Sequence, residues 1–129
     1  MKLVWHDFAW IGEESRTAAQ AARCAGQQRK FWEYHDYLYH HQRGTNRGQF
    51  APASLKQFAS ELGLDRAAFD ACLDQGADLP DLQQLLAQGR AEGITATPTF
   101  VVNGRRIAGA QSINQIAALL DAELACVGQ

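Results

Sequence analysis

A chain of 129 residues has room for one domain with a real core. Its 47% apolar and 20% charged content are ordinary for a globular protein, and no apolar run reaches the ~18 residues of a membrane-spanning helix. A formal net charge of −2 gives neither nucleic acid nor an anionic membrane an electrostatic reason to bind.

Met1-Lys2-Leu3-Val4-Trp5-His6-Asp7-Phe8 carries too short an apolar stretch for a signal peptide, and no cleavage site follows. Read literally, this places the product in the cytoplasm. Lys2 to Phe8 alternates and is rich in Val, Trp and Phe, which predicts a strand. Ser15 to Cys24 predicts an Ala-rich helix with Glu13 and Glu14 at its positive end. Lys30 to His41 predicts a second helix, carrying Phe31, Trp32, Tyr34, Leu38 and Tyr39. Arg43 to Gln49 is a polar loop.

Pro52 suits the first turn of a third helix. Leu55, Phe58, Ala59 and Leu62 follow at i, i+3, i+4 and i+7, and Gly63 stops the run. Asp65 can cap a short helix that sets Phe69, Cys72 and Leu73 on one face. Pro80 to Glu92 predicts a fifth helix with Leu82, Leu85 and Leu86 inward. Thr97-Pro98 then opens an apolar strand, and Asn103-Gly104 signals a type I′ turn into a returning strand. Ser112-Ile113-Asn114-Gln115 fits a capping box. Ile113, Ile116, Ala117, Leu120 and Leu124 predict the buried stripe of a last helix. Three strands with helices over them give an α/β or α+β domain over residues 1–129.

Few side chains suggest chemistry. His6, His35, His40 and His41 lack a completing Cys or carboxylate cluster, and positions 40 and 41 diverge on a helix, so no metal site is expected. The aromatic residues Phe31, Trp32, Tyr34, Tyr37 and Tyr39 suit core packing better than a binding platform. Arg105-Arg106 is a solvated pair, too few charges for nucleic acid. No cofactor is expected. The cysteines Cys24, Cys72 and Cys126 are odd in number, so at least one stays unpaired within the chain.

Taken together, Arg23-Cys24-Ala25, Lys30-Phe31-Trp32-Glu33-Tyr34-His35-Asp36, Phe69-Asp70-Ala71-Cys72-Leu73-Asp74, Thr97-Pro98-Thr99-Phe100 and Asn103-Gly104 resemble the DsbA-like branch of the thioredoxin fold. The resemblance implies one domain with a helical insertion at about residues 13–92. It implies a cis bond at Thr97-Pro98, with the backbone of Thr97 and the loop at Pro98 binding an extended substrate peptide. It implies a structural disulfide between Cys24 and Cys72, as some members have. Two inert buried thiols are the other reading, and a redox-active pair the least favoured. Cys126 is expected to be free.

The family's nucleophile is the first cysteine of a Cys-x-x-Cys at a helix start, where the helix end lowers its pKa. That motif and its strand are missing from these residues, so the expectation is a truncated domain of thiol-disulfide oxidoreductase lineage without dithiol activity. Loss of a central strand leaves two open sheet edges and predicts non-monomeric behaviour. A different class of function is a non-catalytic peptide-binding or assembly module using those edges. A lesser alternative is a relative of the glutathione transferase kappa and isomerase group, whose sequence after the hairpin Gly109-Ala110-Gln111 does not match. The family's usual compartment lies outside the cytoplasm, against the literal reading of the N-terminus.

Overall fold

The computed structural model describes residues 1–127. Their elements run α1 (Glu13–Gln27), α2 (Phe31–His40), α3 (Pro52–Glu61), α4 (Arg66–Gln75), α5 (Leu79–Ala91), β1 (Thr99–Val102), β2 (Arg105–Ala108) and α6 (Ile113–Val127). They form two compact units, one of residues Asp7–Ala87 and one of Met1–His6 with Gln88 onward.

The helical unit holds the core. Ala21, Ala22, Cys24 and Ala25 of α1 pack with Tyr34, Leu38, Leu55, Ala59, Leu64, Phe69 and Leu73. Alanines along α1 let neighbouring helices approach closely, and the larger rings fill the remaining space. Tyr34 and Phe69 lie 5.4 Å apart between ring centres, and the buried Tyr34 hydroxyl donates to the Leu55 carbonyl at 2.8 Å. Burial pushes the Tyr34 phenol well above its ordinary pKa, because the anion would lose its hydration. Cys24 and Cys72 form a disulfide between α1 and α4, with Cα atoms 5.8 Å apart.

The caps follow the sequence. Asp65 is the N-cap of α4, its carboxylate accepting from the Ala68 N–H at 3.1 Å. At α6, Gln115 N–H donates to Ser112 Oγ and Ser112 N–H to Gln115 Oε1, both at 3.1 Å, closing the capping box. Helix α1 stops through Arg29 at φ 62°, where glycine is usual; Lys30 N–H reaches back to the Ala25 carbonyl.

Two expectations fail outside the core. Residues 2–8 form no strand, and the sheet has only β1 and β2. An extended segment becomes a strand only when a neighbouring strand takes its N–H and C=O groups, and among the described residues the ladder joins only β1 and β2. The α6 stripe is also not buried: Ile113 is 84% and Leu124 50% exposed, Ala117 is exposed, and Ile116 and Leu120 are half-buried. A two-stranded hairpin of four-residue strands offers too little surface to cover a helix of 15 residues. On α5, Leu82 is buried, whereas Leu85 and Leu86 are half-buried.

Candidate functional site

The segment entering β1 is built by a sequence of local constraints. Helix α5 ends in a Schellman turn: Ile94 N–H bonds to the Gly89 carbonyl and Gly93 N–H to the Arg90 carbonyl, both at 3.0 Å. Gly93 sits at φ 86°, a left-handed conformation that favours glycine. Thr99 Oγ1 donates to the Ala96 carbonyl at 2.6 Å and ties the loop to the strand. The Thr97–Pro98 peptide bond is cis, and both residues are exposed.

The hairpin register decides which backbone groups face where. Thr99 lies opposite Ala108, Phe100 opposite Ile107, Val101 opposite Arg106 and Val102 opposite Arg105. Asn103 and Gly104 both have positive φ, 49° and 84°, as a type I′ turn requires. In such a hairpin the pair flanking the turn is hydrogen-bonded, and hydrogen-bonded pairs alternate with non-bonded ones. Val102, Phe100 and Pro98 therefore turn their polar groups toward β2, and the Gly109 N–H donates to the Pro98 carbonyl at 2.7 Å as this alternation demands. Thr99 and Val101 turn theirs to the opposite edge, where no strand pairs with β1 among the described residues. Val101 is 62% exposed.

Charge lies off this edge. Arg105 bonds Glu123 of α6 at 3.1 Å, and Asn103 Nδ2 donates to the same carboxylate at 3.2 Å. Arg105 first, then Asn103, holds the Glu123 carboxyl below its ordinary pKa. The strand Thr99-Phe100-Val101-Val102 itself carries no charge.

The cysteines are placed elsewhere. Cys24 and Cys72 are 48 positions apart and bonded in the helical unit, and Cys126 is an exposed free thiol on α6. His40 and His41, expected to diverge, make an edge contact with ring centres 5.3 Å apart, and among the described residues no group of three His, Cys, Asp or Glu side chains could hold a metal ion. His41 instead stacks on Tyr37 at 4.1 Å, with its Nδ1 2.8 Å from the Tyr37 carbonyl oxygen.

One constellation had no local signal in the sequence. Arg23 bonds Asp7 at 2.9 Å and Asp81 at 2.6 Å, with Asp78 at 3.7 Å. Burial opposes its charge, but hydrogen bonds to Asp81 and Asp7 outweigh that and raise its pKa. Beside it, the buried Gln20 donates to Asp78 Oδ2 at 3.0 Å and to Cys24 Sγ at 3.4 Å, and accepts from the Asp78 N–H at 2.9 Å. The constellation joins segments distant in sequence.

A cis-proline loop, a hairpin and a following helix are an arrangement that the thioredoxin fold contains. Residues 1–122 match the family described as thioredoxin, and the chain belongs to that family. It is 37% identical over 105 residues to the Na(+)/H(+) antiporter NhaA of Herminiimonas arsenicoxydans, covering 81% of this chain and 16% of that protein. It is 34% identical over 111 residues to Na(+)/H(+) antiporter NhaA 1 of Salinispora arenicola, covering 86% of this chain and 16% of that protein. The chain thus spans about a sixth of the length of the curated relatives it matches. No solved structure matches it. Among the described residues no helix is long and apolar enough to cross a membrane.

Proposed function

We propose that this chain is a thioredoxin-lineage module that holds an extended polypeptide by strand addition to β1 and has no dithiol redox activity as given. One observation carries the reading. The exposed cis Thr97–Pro98 loop leads into an uncharged strand whose Thr99 and Val101 backbone groups face an edge that no strand of the described residues pairs with. Strand addition needs such a row of donors and acceptors, and the polypeptide supplies the missing ladder. Thr97 and Pro98 would border the end of the bound segment. The same edge would accept a second copy of the chain.

The redox part of the reading follows from thiol chemistry. Exchange needs an accessible thiolate with a second sulfur close by. No Cys-x-x-Cys occurs in these residues, and the cysteine sulfurs present are one bridge between α1 and α4 and one thiol on α6.

The test joins two measurements. Insulin reduction should show no turnover above the uncatalysed rate. An extended apolar peptide should bind in a fluorescence titration, and Val101→Pro should weaken it at least tenfold. That substitution removes an outward N–H and leaves the β1–β2 ladder intact. Turnover in the first assay, or binding that Val101→Pro leaves unchanged, would overturn the proposal.

The antiporter relatives favour a second, compatible reading. An antiporter moves ions through membrane-spanning segments, and the matched sixth here has no helix able to span. In those proteins the matched region would then lie beside the ion path. Deleting it from the Herminiimonas protein should leave Na+/H+ exchange in vesicles measurable; complete loss in a correctly inserted protein would count against this.

A further inference from the structure

We propose that Cys72 is a site of thiol modification: a small-molecule thiolate attacks its sulfur, opens the Cys24–Cys72 bridge and expels Cys24 as a thiolate that Gln20 receives. This goes beyond the strand-addition reading and uses none of its residues. The two halves of the bridge differ in access. Cys24 faces the core of the helical unit and is 1% exposed. Cys72 packs against the same core but is only half-buried. Exchange begins at the sulfur that an incoming thiolate can reach, so attack comes from the Cys72 side. The helix around Cys72 suits such an approach. Neighbours on one helix face stand three and four residues apart. Ala68 and Gly76 hold the positions four before and four after Cys72, and neither has a side chain long enough to cover a sulfur. Asp70 and Asp74, two residues either way, turn to other sides of α4, where they pair with Arg66 and Lys56.

The step replaces one disulfide by another and needs no outside oxidant. The thiolate's electron pair forms a bond to Cys72 Sγ as the bond to Cys24 Sγ breaks, and the departing pair stays on Cys24. Such a step is faster when the leaving sulfur is the better-stabilised anion. Gln20 supplies that stabilisation, its Nε2 donating to Cys24 Sγ at 3.4 Å across one turn of α1. The amide is held in this sense, because Oε1 accepts from the Asp78 N–H at 2.9 Å and Nε2 also donates to Asp78 Oδ2 at 3.0 Å. The charge of Asp78 is offset by Arg23, whose Nη1 lies 3.7 Å from Oδ1. Gln20 is itself 1% exposed, so little water competes for its donor. A bridged sulfur is a weak acceptor, whereas a thiolate carries a full charge. The bond therefore strengthens as charge builds on Cys24, which is the differential stabilisation that speeds a step. In reverse, Cys24 attacks Cys72 and releases the small thiol. The chain is the substrate of this exchange and not its catalyst, so the proposed lack of dithiol turnover is unaffected.

The test reads where the thiol lands. In a Cys126→Ser background, the oxidised protein is exposed briefly to reduced glutathione and quenched in acid. Peptic digestion and mass spectrometry then map the adduct. Glutathione should occupy Cys72 at least tenfold more often than Cys24. Equal labelling, or an excess on Cys24, would overturn the proposal. Gln20→Leu tests the leaving group. Loss of a merely structural bond would loosen the bridge and speed its opening. Loss of a bond to the departing thiolate should instead slow opening by glutathione at least fivefold, in a variant that still unfolds cooperatively. An unchanged or faster opening would remove Gln20 from the step and overturn that half of the proposal. Gln20→Met, of similar length and without a donor, gives the same readout where Gln20→Leu does not fold. The ratio of Cys72 to Cys24 adducts needs neither variant.

Discussion

Tyr34 links a single side chain to the stability of the helical unit. It is fully buried between α1, α3 and α4 residues of the core, and its hydroxyl is committed to the Leu55 carbonyl. Tyr34→Phe keeps the ring and removes the donor, leaving the Leu55 carbonyl with only the bond that its place inside α3 supplies. The expected loss is about 1–2 kcal/mol, read by chemical denaturation. The pH dependence follows from the phenol's raised pKa. Below pH 10 the phenol is protonated in both folded and unfolded chains, and it contributes nothing pH-dependent. Above pH 10 the unfolded chain releases its proton while the folded chain retains it, so stability falls with rising pH. The slope from this one group approaches about 1.4 kcal/mol per pH unit. Tyr34→Phe should flatten the alkaline limb by that amount; an unchanged limb would show that other groups govern it.

Elements were legible wherever a local signal fixed them. Asp65 and Ser112 with Gln115 announced their caps, Asn103-Gly104 announced its turn, and the hydrophobic spacing of α3 and α4 placed Leu55, Ala59, Phe69 and Leu73 in the core. Asp65→Ala should therefore cost about 1 kcal/mol through the lost bond to the Ala68 N–H, measured by thermal unfolding, with Asp65→Ser retaining most of the stability. What was not legible depended on neighbours. Leu3-Val4-Trp5 has strand-like residues, but a strand is a property of a pair, and here the segment is largely exposed. The stripe on α6 is equally sound as a pattern, yet pattern specifies only that a face wants covering. The candidate site divides the same way. The hairpin could be read directly and the Thr97-Pro98 loop through the family resemblance, whereas the outward set Thr99 and Val101 required the register. The Arg23 cluster joins residues 7, 23, 78 and 81, which no local spacing connects.

At the scale of the whole molecule, the core and its covalent tie lie in the helical unit, and the candidate binding edge lies in the other. The Cys24–Cys72 bridge closes a loop of 48 positions. Restricting the unfolded chain over that length is worth up to about 4 kcal/mol on the chain-entropy account. Such a contribution is a large part of the 5–15 kcal/mol typical of a whole domain. The bridge also sits beside Gln20, whose side chain reaches both Cys24 and Asp78. Reduction should therefore lower the denaturation midpoint of the helical unit substantially, and Cys24→Ser with Cys72→Ser should reproduce the shift without reductant. The two treatments separate covalent from packing effects. If the double variant loses about 4 kcal/mol and added reductant changes it no further, the bridge acts through the unfolded chain. A variant as stable as the oxidised protein would show instead that the alanine-lined contacts of α1 hold α4 without it. The same pair of samples bears on function. The bridge lies apart in the chain from the Thr97–Pro98 loop and β1, so reduction at a temperature where the helical unit remains folded should leave peptide affinity within twofold. A larger change would tie the disulfide to the binding edge.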